Sequence, residues 1–193
     1  MKTFFRDLEK YSNNTAIYSG ERAISYKKLL SAADNIALQI DHRCLVVLAC
    51  KNSFSSVAAY VGFMRAGIVP LLISTRIDHD LLSRLLESYQ PDYLYLPSEL
   101  SISIKDSETL LNNENYELKK FFIDSNSAFC MHKDLALLLS TSGSTGSPKY
   151  VRQSYQNIES NTKSIAKYLE ITKIDRAITT MPMNYTYGLS IIN

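Results

Sequence analysis

The stretch LALLLSTSGSTGSPK, residues 135–149, decides the fold. Its first six residues are apolar except for the closing serine, which is typical of a strand that is covered on both faces. The next nine are dominated by glycines and hydroxyl side chains and end in Lys149. Glycines let backbone N–H groups converge on an anion, and a lysine adds a mobile cation. The stretch therefore predicts a buried strand that leads into a phosphate-binding loop.

Two alternatives compete with this interpretation. An ordinary polar surface loop accounts for Gly143, Gly146 and Pro148, but it gives no reason for a run of hydroxyl side chains and a lysine after an apolar strand. A P-loop ends in Gly-Lys-Ser/Thr, whereas Ser147 and Pro148 separate Gly146 from Lys149, so the spacing excludes it. The loop chemistry alone leaves phosphate binding and a surface loop both open.

The preceding part of the chain alternates apolar runs with amphipathic helical patterns. The pattern predicts strands at residues 44–50, 68–73 and 92–96, a helix from Ser53 to the stop at Gly67, and a helix from Asp78 to the stop at Pro91. This βαβαβ order predicts an α/β fold with a mostly parallel sheet flanked by helices on both faces. Such sheets bind ligands at the carboxyl ends of their strands, which is where the loop at Thr141 leaves its strand.

The remaining segments receive simpler predictions. We expect a hairpin at residues 15–26, then a helix whose apolar stripe runs from Tyr26 to Ile40. Residues 97–115 read as a polar surface excursion, and residues 121–123 as a short strand. After the loop we expect a strand at residues 150–153, a helix that Ser154 caps and that reaches Leu169, and a return to the sheet at residues 177–181.

Three segments, in order, match motifs of a known superfamily. Residues 138–149, LLSTSGSTGSPK, resemble the signature of the adenylate-forming superfamily, which comprises acyl-CoA synthetases, adenylation domains of nonribosomal peptide synthetases, and luciferases. Residues 65–71, RAGIVPL, resemble the KAGAVYVPL segment, and residues 181–189, MPMNYTYGL, resemble PLFHxYGL. The resemblance spans most of the chain and implies the N-terminal part of the adenylate-forming fold.

The resemblance implies a ligase that uses ATP and Mg²⁺. A carboxylic acid is converted to an acyl-adenylate with release of pyrophosphate, and the acyl group passes to coenzyme A or a carrier-protein pantetheine. Thr145 and Lys149 take the catalytic roles that the resemblance implies, with Lys149 as the counter-charge. The cofactor-binding residues are Thr141, Ser142, Gly143, Ser144, Thr145, Gly146 and Lys149.

A substrate pocket is expected at Tyr185, Tyr187 and Gly188. Tyr185 occupies the place where many superfamily members carry a histidine or another aromatic residue. An ordinary strand-to-helix turn with buried tyrosines is the alternative. Asn184 and Thr186 depart from the commoner Phe and small apolar residue, so the motif does not reveal the acyl group.

The chain lacks the later motifs of the superfamily. These are the adenine and ribose contacts, the magnesium-binding glutamate, and the mobile C-terminal domain with its catalytic lysine. We therefore expect residues 1–193 to be a partial N-terminal AMP-binding domain that catalyses nothing by itself and that self-associates through uncovered apolar surface. A truncated, non-catalytic module that binds a nucleotide or a partner is the alternative.

The composition of the chain gives no support to several other classes of function. A formal net charge of +2 gives no indication of nucleic-acid binding. The three cysteines are expected to be buried free thiols in a reducing compartment, and neither they nor the histidines have the spacing of a metal site. The charged N-terminus is unlike a secretory signal, and no apolar run has the length of a membrane span. We therefore expect a cytoplasmic protein.

Overall fold

The computed structural model describes residues 4–100, 107–113, 115–121, 131–140 and 149–193. They form a two-stranded hairpin, a seven-stranded sheet and the helices that cover it. In chain order the elements are a 3₁₀ helix (Phe4–Tyr11), β1 (Thr15–Ser19), β2 (Arg22–Ser25), α1 (Tyr26–Ala37), β3 (Leu45–Cys50), α2 (Phe54–Ala66), β4 (Val69–Ser74), α3 (His79–Tyr89), β5 (Tyr93–Pro97), β6 (Ser107–Asn113), β7 (Tyr116–Phe121), β8 (Leu135–Ser140), β9 (Tyr150–Ser154), α4 (Tyr155–Tyr168) and α5 (Thr186–Ile192).

The large sheet has a parallel centre and antiparallel margins. Its strand order is β6-β7-β5-β3-β4-β8-β9. The four neighbours β5, β3, β4 and β8 are parallel, whereas β7 and β9 run antiparallel to their inner neighbours. β6 is antiparallel to β7 and so points the same way as the centre. The expected mostly parallel sheet is confirmed.

Helices cover both faces of this sheet, as expected. Every residue of β3 is buried, because alternate side chains enter two different apolar clusters. Val46 and Leu48 pack with Ala33 of α1 and Phe63 of α2. Val47 packs on the opposite face, in the cluster that includes the buried leucines of α3. The sequence LVVLAC has no polar face because neither side of the strand meets water.

The predicted helix ends are confirmed by their hydrogen bonds. The Oγ of Ser53, a carboxylate oxygen of Asp78 and the Oγ of Ser154 each accept a backbone N–H from the first turn of the helix that follows. Gly67 ends α2 with φ of 76°, a conformation that a side chain disfavours. These polar side chains satisfy backbone groups and are not candidates for chemistry.

Three expectations are corrected by the structure. The supposed surface excursion at residues 97–115 contains β6, which pairs with β7. The short strand expected at residues 121–123 is instead β7, which ends at Phe121. Residues 177–181 do not return to the sheet: they form no strand, and Ile178 is 76% exposed. β6 escaped notice because a polar strand at a sheet edge needs only one partner and little burial.

Arg43 fixes the start of β8, the strand that leads into the predicted loop. Its Nη2 donates to the carbonyl oxygens of His132 and Leu135 at 3.0 Å and 2.7 Å, and its Nη1 donates to that of Gly67. The guanidinium therefore joins the chain just before β4 to the chain at the start of β8. This positions the neighbouring strands at the end opposite the predicted site.

Candidate functional site

Four parallel strands end at one edge of the sheet. β3 ends at Cys50, β4 at Ser74, β5 at Pro97 and β8 at Ser140. Because the strands are parallel, the residues that follow them lie along the same edge. This is the edge at which open α/β sheets bind ligands.

The predicted phosphate loop begins at this edge. Residues 141–148 lie outside the described residues. They include six of the predicted cofactor-binding residues: Thr141, Ser142, Gly143, Ser144, Thr145 and Gly146. Both flanks are described. Ser140, the last residue of β8, pairs with Tyr150, the first residue of β9, so the two ends of the connection are ladder neighbours. Lys149 is exposed and directly precedes β9.

Tyr150 anchors the strand that follows Lys149. Its ring meets that of Tyr89 in α3 edge to face, with centroids 5.3 Å apart. Burial, and secondarily the nearby Tyr89, raises the pKa of Tyr150 above its ordinary value, so this phenol stays neutral near pH 7. The start of β9 is thus held in place by the Tyr150 side chain, which packs on the face of the sheet that α3 covers.

A buried polar network closes the end of β3. Tyr116 donates to the carbonyl oxygen of Ala49 at 3.1 Å, and its hydroxyl lies 2.7 Å from that of Ser56. Since the single phenolic proton is committed to Ala49, Ser56 donates to Tyr116. The Oγ of Ser56 in turn accepts the N–H of Lys51 at 3.1 Å. Lys51 also forms an ion pair with Glu99 beyond β5, at 3.1 Å.

The predicted pocket residues lie where the chain enters α5. Gly188 is buried, whereas Tyr185 and Tyr187 are 45% and 69% exposed. A turn with buried tyrosines therefore does not describe this segment. A Cβ at Gly188 would lie 2.2 Å from the carbonyl oxygen of Pro182, so only glycine fits this approach of helix and chain.

Two further side chains stand out at this edge: Asn52, which the sequence analysis missed, and Asn184, which it named only as a departure from the motif. Asn52, just after β3, donates through Nδ2 to the carbonyl oxygens of Thr179 and Met181, both at 2.9 Å. Its Oδ1 accepts the N–H of Met183 at 3.1 Å. Asn184 is 3% exposed, and its Oδ1 has no hydrogen-bond partner in the described part of the chain. Asn52 is the second polar residue after the apolar strand β3, and this position was the available signal.

Neither a metal cluster nor a membrane span is found in the ranges that the structure covers. There, no three His, Cys, Asp or Glu side chains are grouped as metal ligands. No described helix combines the length and apolar character needed to cross a bilayer. Cys44 and Cys50 are buried free thiols, as expected, while Cys130 lies outside the described residues.

Curated relatives share most of this chain but are much longer. Bacitracin synthase 2 of Bacillus licheniformis is 21% identical over 189 residues, which are 95% of this chain and 7% of that protein. The 2-succinylbenzoate–CoA ligase of Geobacillus sp. (strain WCH70) is 24% identical over 190 residues, which are 92% of this chain and 37% of that protein. The chain therefore spans well under half the length of these relatives.

Solved structures share the fold. O-succinylbenzoate coenzyme A synthetase (MenE) from Bacillus subtilis, in complex with AMP, superposes with a TM-score of 0.73 at 20% identity, covering 99% of this chain and 52% of that one. VinN superposes with a TM-score of 0.76 at 20% identity, covering 97% and 52%. The sequence model of the family described as AMP-binding enzyme matches residues 4–193. The chain belongs to the AMP-binding enzyme family.

Proposed function

We propose that this chain supplies the phosphate-binding and acid-binding part of an ATP-dependent carboxylate ligase. A carboxylate oxygen attacks the α-phosphorus of ATP, the bond to the β-phosphate oxygen breaks, and pyrophosphate leaves. A thiol sulfur then attacks the acyl carbon, AMP leaves, and the thiol proton is released. Coenzyme A or a carrier-protein pantetheine is the proposed acceptor. The observation that carries the proposal is the family match over residues 4–193.

The geometry supports a phosphate role for the loop. The loop motif starts at the carboxyl end of β8, beside three other parallel strand ends. We propose that Ser144, Thr145 and the backbone of Gly143 and Gly146 donate to the phosphates. Lys149 would stabilise charge that moves onto pyrophosphate as the bond breaks. Its place directly before a strand anchored by Tyr150 supports this role.

Mg²⁺ is the metal ion proposed for this reaction. Bacillus subtilis MenE in complex with ATP and magnesium ion shares the fold, with a TM-score of 0.69. In nucleotide sites Mg²⁺ is held mainly by phosphate oxygens and water, with one or two carboxylates, so a dedicated cluster of protein ligands is not needed. Bound in this way, it would neutralise phosphate charge during attack. The loop residues are neutral donors and a lysine, so they fit the phosphate oxygens of Mg·ATP rather than the metal ion itself.

We further propose that Tyr185, Tyr187 and Gly188 line the acid pocket. They follow the MPMN segment at the same strand edge and begin α5. The exposed faces of both tyrosines leave their rings available to a substrate. A cytoplasmic location is proposed as well, since the buried free thiols Cys44 and Cys50 suit a reducing compartment.

We propose that residues 1–193 form part of a larger AMP-binding domain. The solved relatives have about twice this length, since the match covers 52% of the MenE chain. The isolated chain is accordingly expected to bind ATP weakly and to show no ATP–pyrophosphate exchange. A panel of benzoate, octanoate, 2-succinylbenzoate and free amino acids provides the acids for that assay.

Calorimetric titration of Mg·ATP tests the loop assignment. We expect Lys149→Ala to weaken binding at least about tenfold, as the loss of one charge-assisted contact would. Lys167→Ala is the matched control, because it removes an exposed lysine of α4 to which the proposal gives no role. Equal affinities for wild type and Lys149→Ala would show that the loop is not the phosphate site.

A non-catalytic partner-binding module is the second candidate. It is favoured by the exposed apolar side chains after α4, which include Leu169 at 60%, Ile174 at 81% and Ile178 at 76% exposure. This surface would also support the proposed self-association. Sedimentation over a wide concentration range tests it, and a monomer at every concentration would contradict self-association.

A further inference from the structure

We propose that Asn52 is a positioning residue that fixes the chain entering α5 and so sets the orientation of the acid pocket. The inference about orientation rests on the function proposed above. Among the described residues, the hydrogen bonds of the Asn52 side chain go to Thr179, Met181 and Met183 and not to the predicted pocket residues. It acts through the backbone of residues 179–183, which lead into Tyr185.

The side chain of Asn52 bonds this backbone through both of its ends. The Nδ2 group donates to the carbonyl oxygens of Thr179 and Met181, each at 2.9 Å. The Oδ1 accepts the Met183 N–H at 3.1 Å. Two donors and one acceptor are thus matched to two carbonyl groups and one amide along five consecutive residues.

This pattern of hydrogen bonds requires asparagine at position 52, and another polar side chain such as aspartate would not satisfy it. Aspartate would keep the acceptor for Met183 but has no donors, and its carboxylate would face the carbonyl oxygens of Thr179 and Met181. Alanine would lose all three bonds. The arrangement also settles which end of the amide is nitrogen, because the two carbonyls need donors.

The bonded segment has little burial to hold it. Residues 175–182 belong to no helix or strand, and all of them are exposed. At the other end, the guanidinium of Arg176 lies 4.9 Å from the centre of the Tyr18 ring. Because burial holds so little of this segment, the Asn52 bonds carry much of its placement.

Asn52 stands on a rigid platform. It follows β3, whose residues are all buried, and precedes Ser53, the N-cap of α2. The residues beyond the bonded segment, Met183 and Asn184, are 0% and 3% exposed and begin the turn into α5. The three bonds therefore connect the rigid centre of the sheet to the start of the pocket helix.

Hydrogen–deuterium exchange with mass spectrometry on this chain tests the anchoring. In Asn52→Ala we expect the hydrogen-bonded amides of Thr180, Met183 and Tyr185 to exchange at least about tenfold faster, because Met183 loses its acceptor and the backbone that carries the other two loses its anchor. At Thr180 and Tyr185, exchange in Asn52→Asp should be at least as fast as in Asn52→Ala, because the carboxylate faces two carbonyl oxygens. A general need for a polar side chain would instead leave Asn52→Asp close to wild type, which would overturn the inference.

Ser53→Ala is the matched control. It removes the N-cap of α2 from the neighbouring position but keeps the Asn52 bonds. We expect it to lower the stability of α2 while leaving exchange at residues 180–188 as in the wild type. Unchanged exchange at these residues in Asn52→Ala would refute the anchoring.

Binding measurements separate this inference from the proposed function. Saturation-transfer NMR with the acid panel, in the presence of Mg·ATP, should show acid binding reduced at least about tenfold in Asn52→Ala, while its Mg·ATP affinity stays within about twofold of wild type. Acid binding as strong as in the wild type would overturn the pocket role. If the wild type binds neither ATP nor any acid, the proposed function and the pocket role fail together, and the exchange result still decides the anchoring.

Discussion

Gly188→Ala forces a measurable displacement at the entrance to α5. The added Cβ would lie 2.2 Å from the carbonyl oxygen of Pro182 and 2.7 Å from that of Met181. An ordinary contact between such atoms is about 3.4 Å or more, so the helix and the chain must separate by roughly 1 Å. Both obstructing atoms are backbone, and no side-chain rotation can relieve the clash. The carbonyl oxygen of Met181 also accepts a hydrogen bond from Asn52.

The expected cost follows from two opposing effects. Overpacking of this kind costs about 1–3 kcal/mol. Replacing a helical glycine by alanine returns about 0.8–1 kcal/mol through helix propensity. We therefore expect a net loss of up to about 2 kcal/mol, concentrated in Thr186–Ile192, which corresponds to amide exchange in α5 that is up to about 30-fold faster.

Hydrogen–deuterium exchange measured on α5 peptides is the appropriate assay. Ser190→Ala is the control in the same helix, because it also raises helix propensity but adds no atom. It removes the hydrogen bond from Ser190 to the Tyr187 carbonyl, which spans one helical turn. Exchange in Gly188→Ala that is equal to or slower than in the wild type would refute the steric argument and leave helix propensity as the dominant effect.

Three further predictions concern other parts of the fold. Gly62→Ala would place a Cβ 2.2 Å from the carbonyl oxygen of Ala33, so urea unfolding should show a loss of about 1–3 kcal/mol, and unaltered stability would contradict the close approach of α1 and α2. Ser154→Ala removes the capping box of α4 and should cost about 0.5–2 kcal/mol in the same assay, whereas a neutral result would show that the cap is dispensable. Burial raises the pKa of the Cys44 and Cys50 thiols, so both should resist alkylation by iodoacetamide at pH 8 until the protein unfolds. Because the pKa values are higher in the folded state, this contribution to stability is complete below the unfolded thiol pKa of about 8.5 and is lost as pH rises beyond it. Rapid alkylation of either thiol in the native protein, located by peptide mass spectrometry, would contradict its burial.

Much of the fold could be predicted because its signals are local. The central strands are continuous apolar runs, which only a sheet covered on both faces explains. Ser53, Asp78 and Ser154 stand directly before helical patterns, and the cap of each helix depends on residues within one turn. Such features need no knowledge of distant parts of the chain.

The strands at the margins of the sheet were harder to predict, because their stability depends on the strands they pair with. β6 is mostly polar, although Leu110 and Leu111 pack against the core, and it pairs on one side only, so its sequence resembles that of a loop. β7 does alternate, with Tyr116 and Leu118 buried between less buried residues, and this signal was available. Residues 177–181 have the apolar content of a strand, but no described strand pairs with them.

The candidate site could be predicted in part, for the same reason. The loop motif and the MPMNYTYGL segment are contiguous and carry the family resemblance in their own residues. The Asn52 contacts join residues 127 to 131 positions apart, and no periodicity within either segment indicates them. Side chains that act at a distance in sequence become visible only in the fold.

The pairing of β4 with β8 has a consequence for synthesis of the chain. It joins Leu71 to Leu138, whose numbers differ by 67, whereas β3, β4 and β5 all lie before residue 98. At a translation rate of 5–20 residues per second, β8 emerges roughly 3–13 s after its partner. During that interval the apolar strand β4 is a temporary sheet edge with unpaired backbone groups, which is a template for aggregation. The strand that leads into the proposed phosphate loop is therefore also the one that ends this exposure.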